Sequence, residues 1–270
     1  MPATVVDAAE RGDRADYDRE VQSVCPYCGV GCQLTFKIKD EQIKYVEGAN
    51  GPANEQRLCV KGRFGFDYVA HPHRLTKPLI RRDDAPAKGL NVDPGNVSTH
   101  FREATWEEAL ERAASGLKDV KADKGGKGIA GFGSAKCSNE EAYLFQKLIR
   151  EFTGFNNVDH CTRLCHASSV AALLENVGSG AVTATFNEIE NADCAIAIGC
   201  NPVSNHPVAA TYFKQFSQRG GTLITIDPRA NGMFRHATHG LQFNPGTDVG
   251  LLNSIMNVIV EEGLTDRQYI

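Results

Sequence analysis

Four cysteines near the N-terminus follow a spacing that calls for a small domain wrapped around a common centre. The segment CPYCGVGC supplies Cys25, Cys28 and Cys32, and LCVKG supplies Cys59, giving the pattern Cys-x2-Cys-x3-Cys-x26-Cys. Three thiolates within eight residues can surround one corner of an iron–sulfur cubane, while a fourth ligand returns from a distant loop. The spacing therefore predicts a [4Fe–4S] cluster.

Two other interpretations of these cysteines remain open. A structural zinc site usually combines two paired cysteine knuckles, and only one half of this motif looks like a knuckle. Buried free cysteines would need no special spacing, and they do not account for three within eight residues.

Composition limits the classes of partner. The 270 residues, 41% of them hydrophobic, leave room for about two ordinary domains or one large one. The net charge of −4 and the lack of a lysine- and arginine-rich block predict no nucleic-acid partner. No apolar run reaches the roughly 18 residues of a membrane span, and the N-terminus shows no signal region. We therefore expect no membrane partner and a cytoplasmic location, where cysteines are seldom paired in disulfides.

Local patterns divide the chain into four segments. Residues 1–20 predict a flexible tail, and residues 21–75 predict the [4Fe–4S] cysteine domain, with a short antiparallel hairpin over QLTFKIKD and IKYVEG. The proline-rich stretch 71–100 reads as linker and loop. Residues 76–158 and 159–270 predict a first and a second α/β region.

The fold class predicted for these two regions is α/β. Thr105 and Ser138 are expected N-caps, each followed three residues later by a glutamate that completes a capping box. A further helix is predicted from about His166 to Asn176. Strands are predicted at DCAIAIG and TLITID, and helices over PVAATYFKQFSQR and GLLNSIMNVIVEEG. Apolar strands that alternate with amphipathic helices favour a parallel, Rossmann-like sheet covered on both faces.

A second group of cysteines and histidines lies in DHCTRLCHASS. Cys165 is expected where a loop meets a helix, and a helix N-terminus stabilises a thiolate, as a metal ligand or a nucleophile requires. Histidine side chains, such as that of His166, can move protons near neutral pH. Two core cysteines beside a helix are the alternative.

Polar residues follow two predicted strands. Gly199 ends DCAIAIG and Asn201 lies two residues later, whereas Asp227 ends TLITID and Arg229 lies two residues later. In open α/β sheets ligands bind at the carboxyl ends of strands, where a carboxylate can hold ribose hydroxyls and an arginine can hold a phosphate. Ordinary strand-ending turns remain the alternative.

Taken in chain order, these motifs resemble the molybdopterin (bis-MGD) oxidoreductase family, and within it the N-terminal part of the catalytic subunits of soluble, NAD-linked molybdenum formate dehydrogenases. The resemblance covers about residues 21–270. It rests on CPYCGVGC, CVKGRFG, HPHRLTKPLIR, TWEEAL, SAKCSNEEAY, NNVDHCTRLCHASS, GCNPVSNHPV and IDPRANGMF. It implies a [4Fe–4S] cluster and a molybdenum (or tungsten) bis-molybdopterin guanine dinucleotide as cofactors.

The resemblance also implies catalytic roles. Cys165 would be the protein ligand to the molybdenum or tungsten, and His166 would handle protons beside it. Lys61, two residues after Cys59, would relay electrons between the cluster and a pterin. A solvated surface lysine is the alternative for Lys61.

A further set of residues would contact the pterin guanine dinucleotide, as the resemblance implies. They are Lys136, Gly199, Asn201, Ser204, Asp227, Arg229, Gly246 and Asp248. Ser204 stands where some relatives have an aspartate, and Lys136 takes the place of an arginine.

The substrate that the resemblance implies is formate, oxidised to CO2. Related nitrate reductases place methionine after the ligand cysteine, whereas His166 follows Cys165 here, as in formate dehydrogenases. Electrons would pass through the cluster to diaphorase partners, the NAD/FMN and iron–sulfur subunits of a formate dehydrogenase complex. Nitrate reduction and a non-catalytic iron–sulfur electron-transfer subunit, such as the molybdenum-free relatives in respiratory complex I, are the alternatives.

Members of this family run to several hundred residues more than this chain. The resemblance therefore implies an α/β region incomplete at its C-terminus, in a fragment, a truncated product or one piece of a split subunit. We expect the 270-residue piece alone to be inactive.

Overall fold

The protein is described by a computed structural model that covers residues 16–89, 93 and 95–270. Its strands are β1 (Arg19–Val24), β2 (Gln33–Lys39), β3 (Gln42–Gly48), β4 (Leu79–Arg81), β5 (Phe101–Glu103), β6 (Gly131–Gly133), β7 (Val158–His160), β8 (Cys194–Ile198), β9 (Thr222–Ile226) and β10 (His239–Leu241). Its helices are α1 (Val60–Phe64), α2 (Trp106–Lys124), α3 (Asn139–Thr153), α4 (Thr162–Cys165), α5 (Ala167–Val177), α6 (Pro202–Asn205), α7 (Pro207–Gln218) and α8 (Asp248–Glu261).

By internal contacts the chain divides into two compact units. The first combines the described residues up to Phe66 with Thr183–Ile270, and the second is Asp67–Val182. The first unit therefore joins two stretches that are far apart in sequence. The four segments predicted from the sequence are consecutive stretches, which is a different kind of division. The boundaries of those segments stay a prediction.

The N-terminal sheet is antiparallel, with β2 between β1 and β3. The predicted hairpin is confirmed: Asp40 and Glu41 make the turn between β2 and β3 with φ of 49° and 60°, the left-handed pair that matches the twist of a two-residue hairpin. Strand β1 begins at Arg19, inside the predicted tail, because its backbone pairs with β2. Residues 1–15 of that tail lie outside the described residues.

A three-stranded parallel sheet, in the order β10, β9, β8, forms the other half of the first unit. Helix α7 covers one face of it, where Phe216, Leu223 and Ala197 form a buried core with Met233. The opposite face is less covered than predicted, since Ile196 is 56% exposed. The predicted α/β class is confirmed.

Helix α7 also packs against the cysteine domain. Val208 and Ala209 belong to the same apolar core as Cys25 and Cys32. The ring of Tyr212 lies 4.5 Å from the guanidinium carbon of Arg57 and its hydroxyl donates a hydrogen bond to the carbonyl of Ala53 at 3.4 Å. One helix therefore supports both the parallel sheet and the cysteine loops.

The second unit contains the antiparallel pair β4–β5 and the parallel pair β6–β7, so the parallel strands form two separate sheets. The capping box predicted at Ser138 is confirmed, with both of its hydrogen bonds to Glu141 present. At Thr105 only half of the predicted box forms. The Thr105 hydroxyl accepts from the Glu108 amide at 3.2 Å, but the Glu108 carboxylate pairs with Arg102 instead.

None of the helices in the described part of the chain combines the length and the apolar character that a membrane span requires.

Candidate functional site

The four N-terminal cysteines come together around the start of the antiparallel sheet. Cys25 follows β1 and Cys32 precedes β2, and the Cys25 amide donates to the Cys32 carbonyl at 2.9 Å. Cys59 is the N-cap of α1. All four belong to one apolar core, in which Cys25 and Cys32 are buried and Cys28 and Cys59 half-buried.

These thiols are close enough to influence one another. Burial, and then the proximity of the other three cysteines, raise the pKa of the Cys32 thiol to about 11. Neighbouring thiols make one another harder to ionise. They become thiolates when cationic irons bind them. Within residues 16–89, 93 and 95–270, no group of three or more His, Cys, Asp or Glu side chains is arranged to hold a single metal ion. A cubane is wider than one ion, and the donor set of four thiols fits it.

Helix α1 lies directly after this group of cysteines. Its second residue, Lys61, is exposed. The hydroxyl of Tyr27 donates to the carbonyl of Gly65 at the end of the helix, which ties α1 to the CPYC loop. At Gly62 a Cβ atom would lie 3.4 Å from the Cys25 sulfur, so this part of the helix packs directly against the cysteine group. Helix α1, and Lys61 with it, is thus held beside Cys59.

At the carboxyl end of β8, the chain turns sharply into α6. Gly199 has a φ of 60°, a left-handed conformation that favours glycine, and its amide donates to the carbonyl of Ile226 on β9 at 2.9 Å. Asn201 is the N-cap of α6 and its amide group donates to the Ser204 hydroxyl at 3.1 Å. The Asn201 Oδ1 is buried and has no hydrogen-bond partner. A buried acceptor of this kind suits a ligand donor.

The end of β9 lies beside the end of β8. The carboxylate of Asp227 accepts from the Arg229 amide at 2.8 Å and from the side chain of Asn231 at 3.0 Å. Asn231 also donates to the carbonyl of Cys200 at 3.2 Å. It therefore links the loops after the two strands, and sequence reasoning missed it, although it lies four residues after Asp227 in IDPRANGMF.

The third strand end, after β10, leads to Gly246 and Asp248. Gly246 has a φ of 85°, and Asp248 is the first residue of α8. Both are exposed, as is Arg229. Because β8, β9 and β10 are parallel neighbours, the residues of the first unit that were predicted to contact the dinucleotide all follow carboxyl ends of one sheet.

Cys165 and His166 lie in the second unit, and both are exposed. The predicted loop before the helix is wrong, because Cys165 is the last residue of the one-turn helix α4, and His166 is the residue before α5. The Cys165 amide donates to the carbonyl of Cys161 at 3.1 Å. The pair thus lies where α4 meets α5, and Cys165 is not at the N-terminus of the longer helix α5.

Lys136 follows β6, is exposed, and donates from its amide to the Ser134 hydroxyl at 3.1 Å. Ser134 also lines a cavity of about 550 Å³ beside the carboxyl ends of β6 and β7, together with Phe132, Cys137, Phe145 and His160. Sequence reasoning missed this cavity, because its walls come from residues between positions 132 and 160 that no single motif contains.

Comparison with known proteins identifies both parts of the chain. Residues 18–71 match the family model described as the molybdopterin oxidoreductase Fe4S4 domain, and residues 74–270 match the model described as molybdopterin oxidoreductase. The predicted cofactors, a molybdenum-molybdopterin centre and a [4Fe–4S] cluster, are confirmed at the level of these descriptions.

Three similar curated proteins have names that state a function. The F420-dependent formate dehydrogenase subunit alpha of Methanocaldococcus jannaschii is 38% identical over 251 residues, covering 93% of this chain and 34% of that protein. Formate dehydrogenase H of Escherichia coli is 34% identical over 257 residues, with the same shares. The probable oxidoreductase YjgC of Bacillus subtilis is 38% identical over 267 residues, 98% of this chain and 25% of that protein. The chain spans a quarter to a third of the length of these relatives.

Among solved structures, acetylene hydratase from Pelobacter acetylenicus has a similar fold, with a TM-score of 0.70 over 92% of this chain and 33% of that one. At 21% identity this likeness concerns the fold alone. The fold agrees with the two matching models, which together cover nearly all of the chain. The chain belongs to the molybdopterin oxidoreductase family.

Proposed function

We propose that this chain is the N-terminal part of a formate dehydrogenase catalytic subunit, which oxidises formate to CO2. The observation that carries the proposal is the adjacent Cys165–His166 pair, exposed between α4 and α5 in a chain of this family. The names of the relatives from Methanocaldococcus jannaschii and Escherichia coli support formate as the substrate.

Formate oxidation releases CO2, one proton and two electrons. The molybdenum (or tungsten) centre supplies the two-electron redox chemistry when bound. We assign its protein ligand to the Cys165 thiolate. The imidazole of His166 accepts the proton at a ring nitrogen, since it is the next residue and its ring is exposed.

The remaining residues hold cofactors in this proposal. Cys25, Cys28, Cys32 and Cys59 bind the cluster, and Lys61 lies on the electron path between the cluster and a pterin. The three strand ends of the first unit bind the guanine dinucleotide of a pterin. There, the Asp227 carboxylate can accept from ribose hydroxyls or guanine, and the Arg229 guanidinium can pair with a phosphate. Lys136 is assigned to a pterin contact in the second unit.

We also propose that the electrons pass to diaphorase subunits and NAD, in the cytoplasm. The similarity of LCHASSVAALLENVGSGAVT to soluble NAD-linked formate dehydrogenases supports this acceptor. Relatives named as F420-dependent make F420 the competing acceptor.

Metal analysis and turnover of the protein that carries this chain, purified without oxygen, test the proposal. We expect iron together with molybdenum or tungsten, and formate-dependent reduction of a redox dye. Iron alone would indicate an electron-transfer subunit, and nitrate-dependent dye oxidation without formate activity would indicate a nitrate reductase. Either result overturns the proposal, and replacing the dye by NAD or F420 decides the acceptor.

A further inference from the structure

The loop between β3 and α1 contains a fully buried asparagine. Asn54 is 0% exposed, and its side chain makes four hydrogen bonds. The carboxamide oxygen accepts from the Gln33 amide at 2.9 Å. The two N–H groups of the carboxamide are shared among the carbonyls of Gln33, Ala49 and Arg57, which lie 3.0, 3.1 and 3.0 Å from the nitrogen. Both ends of the carboxamide are therefore used.

These bonds connect the two cysteine-bearing segments. Gln33 is the residue after Cys32, and Arg57 is two residues before Cys59. Gln33 lies 21 positions before Asn54 in the sequence, and Arg57 lies three positions after it. A single side chain thus fixes the distance between the three-cysteine loop and the backbone that delivers the fourth cysteine.

The loop around Asn54 needs such support because its backbone is unfavourable. Glu55 and Gln56 adopt left-handed conformations, with φ of 44° and 66°, that residues with side chains seldom occupy. The loop is also closely packed. A Cβ atom at Gly48 would lie 2.1 Å from the Gln56 carbonyl oxygen, and one at Gly51 would lie 2.8 Å from the Asn54 Oδ1.

We propose that Asn54 is a positioning residue for the iron–sulfur site, holding the loop that delivers Cys59 against the strand that begins beside Cys32. The proposal rests on the assignment of the four cysteines as cluster ligands. It is independent of the substrate. Ligand-orienting partners of this kind typically change metal affinity by about 10–100-fold when they are removed.

The chemistry of the carboxamide makes the proposal testable with an isosteric change. In Asn54→Asp the side chain keeps its shape and its acceptor for the Gln33 amide, but it loses both N–H donors. An oxygen would then face three carbonyl oxygens without a hydrogen to donate to any of them, so contacts that hold the loop would become repulsive. Asn54→Ser keeps one donor in a smaller side chain and is the milder change.

The experiment compares Asn54→Asp and Asn54→Ser in the full chain, reconstituted with iron and sulfide without oxygen. Val46→Ala is the matched control, because Val46 is fully buried in the same core and makes no side-chain hydrogen bond. We expect Asn54→Asp to release iron to a chelator about 10–100-fold faster than wild type. Its reduced cluster should also have an altered EPR line shape and midpoint potential. Val46→Ala should melt at a lower temperature with wild-type cluster properties.

Wild-type iron release and EPR line shape in Asn54→Asp would overturn the proposal. If Asn54→Asp does not fold, wild-type iron release in Asn54→Ser has the same meaning. Cys59→Ser separates this inference from the ligand assignment beneath it. A wild-type cluster in Cys59→Ser refutes the assignment, whereas cluster loss there together with wild-type behaviour of both Asn54 variants refutes only the role of Asn54.

Discussion

Around the N-terminal cysteines this chain builds its own apolar core, whereas it leaves Cys165 and His166 at the surface. The four N-terminal thiols share a core with Leu34, Val46 and two residues of α7. In contrast, neither α4 nor α5 contains a buried residue. The two regions are therefore prepared to different degrees for the cofactors that we assign to them.

The comparison shows where the surroundings of each metal site come from. A buried group of thiols has a low-dielectric environment before any cofactor binds, and local packing determines its shape. An exposed thiol at the end of a one-turn helix has neither a low-dielectric environment nor a shape determined by local packing. What encloses Cys165 must come from the cofactor or from protein packed against it, so changes there should affect catalysis without unfolding the chain.

The largest expected effect is that of Cys165→Ala in the active enzyme. Loss of the proposed metal ligand should abolish formate oxidation while the cluster EPR signal stays intact, because the two sites lie in different compact units. Cys161→Ala is the matched control, since Cys161 is an exposed cysteine one helical turn earlier, and it should retain activity. Wild-type turnover in Cys165→Ala would remove the basis for the comparison.

Cys59→Ser should affect the cluster and the stability of the cysteine domain, which Cys165→Ala should leave intact. We expect iron to fall well below about four per chain and the cysteine domain to melt at a lower temperature. The thiol belongs to the apolar core, so loss of the cluster removes the group around which the core residues pack. Cys194→Ser replaces an exposed cysteine on β8 and should keep its iron. A stable Cys59→Ser chain with full iron content would contradict the assignment.

His166→Met should have an intermediate effect, confined to turnover. A proton-transfer group typically contributes about 10²–10⁴-fold to the rate, so kcat should fall by that order while formate binding changes much less. His239→Met, at an exposed histidine of the other unit, is the control. An equal loss in binding and turnover would assign His166 to substrate binding instead.

The smallest effect concerns an ion pair on the sheet of the cysteine domain. The Lys37 ammonium, followed by the Tyr17 hydroxyl, lowers the pKa of the Glu20 carboxyl below its ordinary value of 4.5. A lowered carboxyl pKa contributes stability above the unfolded-state pKa, and this is lost as the pH falls through the folded-state pKa. Glu20→Gln should therefore flatten the decline of the melting temperature below pH 4.5.

Lys37 itself does not titrate in this acidic range. Burial lowers its pKa, and pairing with Glu20 and then Glu47 outweighs burial, so that the pKa is raised above 10.5. Its contribution is complete below that pH and is lost only in more alkaline solution. Lys37→Met should flatten the decline of the melting temperature in acid, as Glu20→Gln does. Parallel melting curves for wild type and Glu20→Gln would show that the pair has no such role.

The amino-acid sequence alone determined the features that depend on near neighbours. The three-cysteine loop of CPYCGVGC, the β2–β3 hairpin and the capping box at Ser138 each depend on residues a few positions apart. The apolar strands β8 and β9 and the amphipathic helix α7 have periodic patterns that survive in the folded chain. Motif order was enough to identify the family.

Only the tertiary structure decided which distant residues meet. Asn54 reaches Gln33 across 21 positions, and the bond between Asn231 and the carbonyl of Cys200 spans 31. No local pattern encodes such contacts, since any polar residue in a loop has the same signature until the chain closes around it. The pairing of β1, the diversion of Glu108 to Arg102 and the cavity beside β6 have the same origin. Strand β1 and Glu108 each take a partner outside the local motif, and the cavity is lined by side chains from separate elements.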